Sequence, residues 1–244
     1  MLDLPKSDRN LSRARVLLVG VGGLGSPAAM ALAGAGVGTL GLIDPDRVDV
    51  SNLHRQPLYD DGDVGHAKVE AAAAHLRKLG TRLHVETWEE RFTAVHRDLA
   101  RAFDIVIDGT DSVAAKFEVN DTAVAAGVPL VHAGATGFRA QLLTVLPAVS
   151  ACYRCVFEEP PPPDEVPSCQ EAGILGPVVS LAGALQAAEA IRLATGAAPL
   201  FADRLLTIDA RAGTWRSVPL TRDSTCAACG TAQALGAARR SEAR

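Results

Sequence analysis

The sequence predicts an α/β fold: a mainly parallel sheet with helices on both faces, ending in antiparallel strands and a four-cysteine cluster. Three observations predict it. Short apolar runs alternate with helix-like segments through the first half of the chain. A glycine-rich turn, Gly20-Val21-Gly22-Gly23-Leu24-Gly25, joins the first apolar run to a small-residue helix. Two C-x2-C pairs, Cys152/Cys155 and Cys226/Cys229, sit in the second half. Alternation of this kind favours parallel strands joined by crossover helices.

The elements follow in order. Arg15–Gly20, Thr39–Ile43, Arg82–Trp88, Phe103–Asp108 and Pro129–Ala133 read as strands. Ser26–Ala35, Ala67–Leu79, Val95–Ala102 and Val113–Ala126 read as helices. Arg139–Leu146 and Arg204–Asp209 read as further strands, and Trp215–Val218 is placed to pair with the latter. Between them, Glu158–Pro167 carries five prolines. Proline lacks an N–H and fixes φ, so this stretch is expected to be an extended crossover loop. Gly176–Ala194 is almost uncharged until Glu189 and Arg192, which predicts a buried helix in the core or at a subunit contact. Residues 1–230 form one domain on this reading, and the Ala/Arg-rich residues 231–244 are expected to be a disordered tail.

Composition narrows the function classes. The 244 residues are 48% hydrophobic but only 4% aromatic, so the core must be built from Ala, Val and Leu. A net charge of −4 disfavours a general nucleic-acid or membrane-surface binder. No apolar run approaches the roughly 20 residues that span a bilayer. The charged N-terminus has no apolar core, so a secretory signal is not expected and a cytoplasmic setting is. Cysteines in a reducing compartment read first as metal ligands or reactive thiols.

The glycine turn lies where a strand hands over to a helix. Glycines there allow close backbone approach to a phosphate, and the helix start offers free N–H groups. Asp44 ends the next apolar run, about where an acid reaches a ribose hydroxyl. Arg55 and Lys68 follow closely. A dinucleotide needs few such cations, whereas a triphosphate undergoing substitution needs charge neutralised on its phosphoryl oxygens. Asp108-Gly109-Thr110-Asp111 sits at the end of a predicted strand, where the acids can hold Mg2+ or Asp111 can cap the next helix. Four thiolates in two C-x2-C pairs suit tetrahedral zinc with no open position, hence a structural site that ties the C-terminal segment to the sheet. Cys169 is left over after the proline-rich loop, as either a nucleophile or a residue with no role. The six histidines show no ligand spacing and read as surface or satisfied core residues.

Taken together, these residues resemble the adenylating domain of the E1-like superfamily, of the MoeB and ThiF type. The match runs in order from about Arg15 to Gly230. It includes the glycine loop, the acids Asp44 and Asp46, the S-N-L-x-R-Q block at Ser51–Gln56, V-G-x-x-K at Val64–Lys68 and D-x-T-D at Asp108–Asp111. Both cysteine pairs and S-C-x-E-A-G at Ser168–Gly173 complete it. The resemblance implies ATP- and Mg2+-dependent adenylation of the C-terminal glycine of a small ubiquitin-like sulfur-carrier protein ending in Gly-Gly. Gly20, Gly22, Gly23 and Gly25 would shape the ATP loop. Asp44 would hold the ribose, Asn52, Arg55 and Lys68 would contact the phosphates, and Asp46 and Gln56 would also belong to the nucleotide site. Asp111 would bind Mg2+. Cys152, Cys155, Cys226 and Cys229 would bind Zn2+, and Cys169 would match the family's loop cysteine, which can receive an acyl or sulfur group. A homodimer is implied, as is a separate sulfur donor such as a cysteine desulfurase or rhodanese.

Two departures from the family pattern stand out. The sequence lacks the N-terminal R-Y-x-R-Q motif, whose arginine reaches the other subunit's ATP site. A truncated start, replacement by Arg9 or Arg13, and a site that works without it are the three readings. The residue after Asp111 is Ser112 where the family usually has Asn. Competing readings are a tRNA-modifying dehydratase of the same fold, an NAD(P)-dependent oxidoreductase, and a non-catalytic ATP-binding scaffold. The zinc cysteines and Cys169 weigh against the dehydratase, and Arg55 and Lys68 weigh against the oxidoreductase.

Overall fold

A computed structural model describes residues 11–79, 82–162 and 173–230. Its centre is an eight-stranded sheet of order β3-β2-β1-β4-β5-β6-β7-β8. The strands are β1 (Arg15–Val19), β2 (Thr39–Ile43), β3 (His84–Trp88), β4 (Ile105–Asp108), β5 (Leu130–Thr136), β6 (Arg139–Val145), β7 (Arg204–Asp209) and β8 (Thr214–Pro219). The first five pair in parallel, and β5 to β8 pair antiparallel. The chain reverses its winding between β1 and β4, and ligands bind outside the strand ends at such a switch point.

The helices are α1 (Gly25–Ala35), α2 (Lys68–Leu79), α3 (Arg97–Arg101), α4 (Val113–Ala126), α5 (Tyr153–Val156) and α6 (Gly176–Ala194). Alternation along the strands divides the core between the two faces. Val16, Leu18, Leu40, Leu42, Ile105 and Ile107 pack with α1, α2 and α6. Leu17, Val19, Val106, Leu130, Leu143 and Val145 point the other way, toward α3, α4 and the cysteine cluster. The expected elements are all present, with boundaries moved by a few residues. The segment read as one helix over Val95–Ala102 is a 3-10 turn, Ala94–His96, followed by α3. The described part of the proline-rich stretch, 158–162, holds neither helix nor strand. Among the described residues no helix is long and apolar enough to cross a membrane.

Helix α6 lies in the core, packed on α1, β5 and β6. Its charge at Glu189 is buried and used: one carboxylate oxygen accepts from Thr144 Oγ1 (2.8 Å), Leu200 N (2.7 Å) and Phe201 N (3.0 Å). Close helix contact depends on Gly183, where a Cβ would collide with the Leu24 carbonyl oxygen and lie 2.8 Å from Pro27 Cγ. Ala has a helix propensity about 1 kcal/mol better than Gly. Overpacking against a backbone atom, which no rotamer change relieves, costs about 1–3 kcal/mol. The second effect should win. Gly183→Ala is expected to lower stability in urea unfolding, and an unchanged or higher midpoint would show that α1 and α6 separate freely.

Candidate active site

Two loops build the floor of the site. One follows β1 and the other follows β4, and they touch through backbone. Gly20 has φ of +88°, and a Cβ there would lie 2.9 Å from Gly109 C and O. A Cβ at Gly109 would lie 2.5 Å from Gly20 O, and one at Gly25 would strike the same oxygen. These three glycines serve backbone packing. Gly22 differs, since a Cβ there would meet only Gln56 Nε2 at 3.7 Å. That open space faces a cleft of about 1670 Å³ and is what a phosphate needs. Gly23 lies against Val179 of α6 and also lines the cleft.

The glycine loop is held firmly. Val21 N donates to Asp44 Oδ2 at 2.7 Å, and Asp46 N donates to Asp44 Oδ1 at 2.9 Å. Burial raises the Asp44 pKa, opposed by the charge of Lys68 and these two N–H groups. Each Asp44 oxygen keeps a lone pair for a further donor such as a ribose hydroxyl. Buried Tyr59, which the sequence did not single out, places its hydroxyl 2.9 Å from Val21 O and 3.2 Å from Lys68 O. It links the glycine loop to the start of α2.

The cationic wall is present and already oriented. Lys68 is buried, and its Nζ donates to the exposed Asp46 Oδ2 at 2.7 Å. Arg55 donates to Asn52 Oδ1 at 2.7 Å and to Ser51 O at 3.1 Å. Gln56 is buried with its Oε1 lacking a partner. All four of Asn52, Arg55, Gln56 and Lys68 line the same cleft as Gly20, Asp44, Asp46 and Asp111. Arg91, Lys116, Arg139 and Arg216 also line it, and the sequence reading did not find them.

The two acids after β4 part company. Asp108 is fully buried and faces the interior, where Thr110 Oγ1 and N, Lys116 and His132 surround it. Burial opposes its ionisation, but the Lys116 charge and the His132 bond outweigh that and hold its carboxyl well below the usual range. Asp108 therefore does not share a cation with Asp111, and only Asp111 reaches the cleft. Nor does Asp111 cap α4. Ser112 does so, its Oγ accepting from Ala115 N at 3.2 Å. The departure at Ser112 thus supplies a good helix cap. His132 is also not a fully satisfied core residue: burial lowers its pKa, Nδ1 lies 2.6 Å from Asp108 Oδ2, and Nε2 has no partner.

The four cysteines converge. Sγ separations are 3.9 Å (Cys152–Cys155), 3.6 Å (Cys152–Cys226) and 3.4 Å (Cys155–Cys229), and all four sulfurs lie within 4.8 Å of one another. A tetrahedral zinc with Zn–S near 2.3 Å sets its sulfurs about 3.8 Å apart, so the set fits. Burial, then the charge of Cys155 and Cys229, pushes the Cys152 thiol well up, a penalty that a central cation reverses. Asp60, Asp63 and His75 also lie together, but both carboxylates already cap a 3-10 turn, and Asp63 Oδ2 is bonded to His75 Nε2 at 2.8 Å. Cys169 lies outside the described residues, as do Arg9 and residues 231–244.

Cys152→Ser is expected to drop zinc from about one per chain to near zero and to lower thermal stability. Full zinc content in the variant, measured by mass spectrometry of the metal, would contradict the site.

The chain is 45% identical to the "Adenylyltransferase and sulfurtransferase MOCS3" of Sus scrofa over 222 residues, 90% of this chain and 49% of that protein. It is 40% identical to the "Sulfur carrier protein adenylyltransferase" of Thermus thermophilus over 232 residues, 93% of this chain and 86% of that protein. The chain therefore spans about half the length of the MOCS3 relatives it matches and most of the bacterial one. Among solved structures, E. coli MccB with ATP superposes with a TM-score of 0.80 at 25% identity, over 92% of this chain and 69% of that one. The profile of the ThiF family matches residues 4–228. The chain belongs to the ThiF family.

Proposed function

We propose that this chain, through one adenylating domain over residues 1–230, activates the C-terminal carboxylate of a small ubiquitin-like sulfur-carrier protein ending in Gly-Gly. The carrying observation is the convergence of the open glycine turn, Arg55, Lys68 and Asp111 on one cleft. The relative named as a sulfur carrier protein adenylyltransferase and the solved ATP complex of MccB support the reading.

The chemistry follows from the charges. A carboxylate oxygen of the carrier attacks the α-phosphorus of ATP. The bond from that phosphorus to the bridging oxygen breaks, and pyrophosphate departs with the electron pair. The nucleophile is already ionised, so no general base is required. The chain must position the two anions and offset their repulsion. Asp44, flanked by Asp46, would hold the ribose. Asn52, Arg55, Gln56 and Lys68 would receive the phosphates, with Lys68 exchanging its bond to Asp46 for one to a phosphoryl oxygen. Asp111 would hold Mg2+, which when bound offsets charge on the phosphates. The zinc cysteines sit on the opposite face of the sheet from α1, in the core, which supports a structural rather than a reacting metal.

The acyl-adenylate then passes to sulfur transfer. A homodimer in the cytoplasm and a separate sulfur donor complete the proposal, and Cys169 is assigned, from its sequence context, to a step after adenylation.

ATP–pyrophosphate exchange with a panel of Gly-Gly carriers tests the reading. Exchange that depends on one carrier is expected, and none with any carrier would favour a scaffold. Asp111→Ala is expected to lower the exchange rate by about 100-fold or more with zinc content unchanged, while wild-type exchange in that variant would remove Asp111 from the site.

A further inference from the structure

Strands β4 and β5 pair only as far as Asp108 and His132. Beyond that register β4 turns into the Gly109–Asp111 loop, while β5 runs on to Thr136 beside β6. The two chains part at the edge of the cleft. Backbone carbonyls stranded in such a gap need donors.

Two side chains fill the gap from opposite faces of the sheet. From α6, buried Gln186 Nε2 donates to Asp108 O (2.8 Å) and Val131 O (3.0 Å). From α4, Lys116 Nζ donates to Thr110 O (2.7 Å) and Ala133 O (2.6 Å), with Asp108 Oδ2 at 3.4 Å. Lys116 is 7% exposed, among the least exposed of the cleft's cations, and all three of its N–H donors are used. The carbonyl it holds belongs to the residue next to Asp111. Asp108 completes the brace from the other side, its Oδ1 accepting from Thr110 N (2.9 Å) and Thr110 Oγ1 (2.6 Å). Thr110 is thus bonded at its N–H, hydroxyl and carbonyl, which braces the backbone that carries Asp111.

We infer that Lys116 is a positioning residue for Asp111, setting the loop at which a Mg2+–nucleotide binds, and that it does not itself touch the nucleotide. This rests on the proposed role of Asp111. A lysine is suited to the task because a compact ammonium with three donors can bond two carbonyls and a carboxylate at once. Methionine fills the same volume and offers none of them.

Two variants separate the possibilities. Lys116→Met leaves Asp108 buried without its cation, which threatens the fold. The double variant Asp108→Asn, Lys116→Met removes both charges while the amide oxygen still serves Thr110. ATP binding is read by calorimetry, once in EDTA and once across a Mg2+ titration, and exchange is read beside it. In the double variant the Mg2+ needed for half-maximal ATP binding is expected to rise about tenfold or more, while affinity in EDTA stays within about twofold of wild type. An unmoved Mg2+ midpoint would overturn the inference. A loss of affinity in EDTA as large as that in Mg2+ would place Lys116 on the nucleotide and overturn it as well. Loss of zinc and of cooperative unfolding in both variants would assign Lys116 to stability alone, with the same consequence. A wild-type protein that binds Mg2+–ATP but exchanges with no carrier would defeat the proposed function and leave this comparison intact.

Discussion

The structure depends on one close approach, where the backbone leaving β1 crosses the backbone leaving β4. Gly20 and Gly109 meet there with no room for a Cβ on either, and Gly25 closes the same contact. Interiors pack densely, so neither loop can move without the other. The crossing fixes the start of α1, the open face at Gly22 and the path of the chain toward Asp111. Lys116, Gln186 and Tyr59 then tie neighbouring strands and helices to these loops. The site is rigid because its backbone is bonded from several directions.

The cationic side chains of the cleft are held in place by neighbouring groups. Lys68 is buried, yet its partner Asp46 is well exposed, so the pair holds the ammonium in place at little cost to release. Arg55 is oriented by a carbonyl and an amide oxygen, neither of which cancels its charge. Preorganised cations of this kind would need no reorganisation to receive the proposed triphosphate. Asp108 and Lys116 differ, being paired with each other and both largely buried.

Much of this was legible in the sequence. Short apolar runs marked β1, β2 and β4, since each of these buries both faces in the covered parallel part of the sheet. The almost uncharged stretch at Gly176–Ala194 marked α6, and the C-x2-C spacing marked the four-cysteine cluster. What was not legible depends on side-chain direction. Asp108 and Asp111 look alike in the sequence, but one faces Lys116 and His132 and the other the cleft. Strand alternation does not reach into a loop, so no spacing rule separates them. Ser112 as the cap could have been read, because Ser is a strong N-cap and Val113 begins the helix. Lys116 offered one signal: a lysine between the apolar positions of a helix that must pack on a sheet. Tyr59 gave none, since its partners are carbonyls brought near only by folding.

If the Gly20–Gly109 crossing shapes the proposed nucleotide site, ATP binding measured by calorimetry in wild type and Gly109→Ala will show it. Saturable binding by the wild type is expected, with affinity about tenfold weaker or worse in the variant with zinc retained, because the new Cβ would lie 2.5 Å from Gly20 O and must push the loops apart. Equal affinity in the two proteins would contradict it.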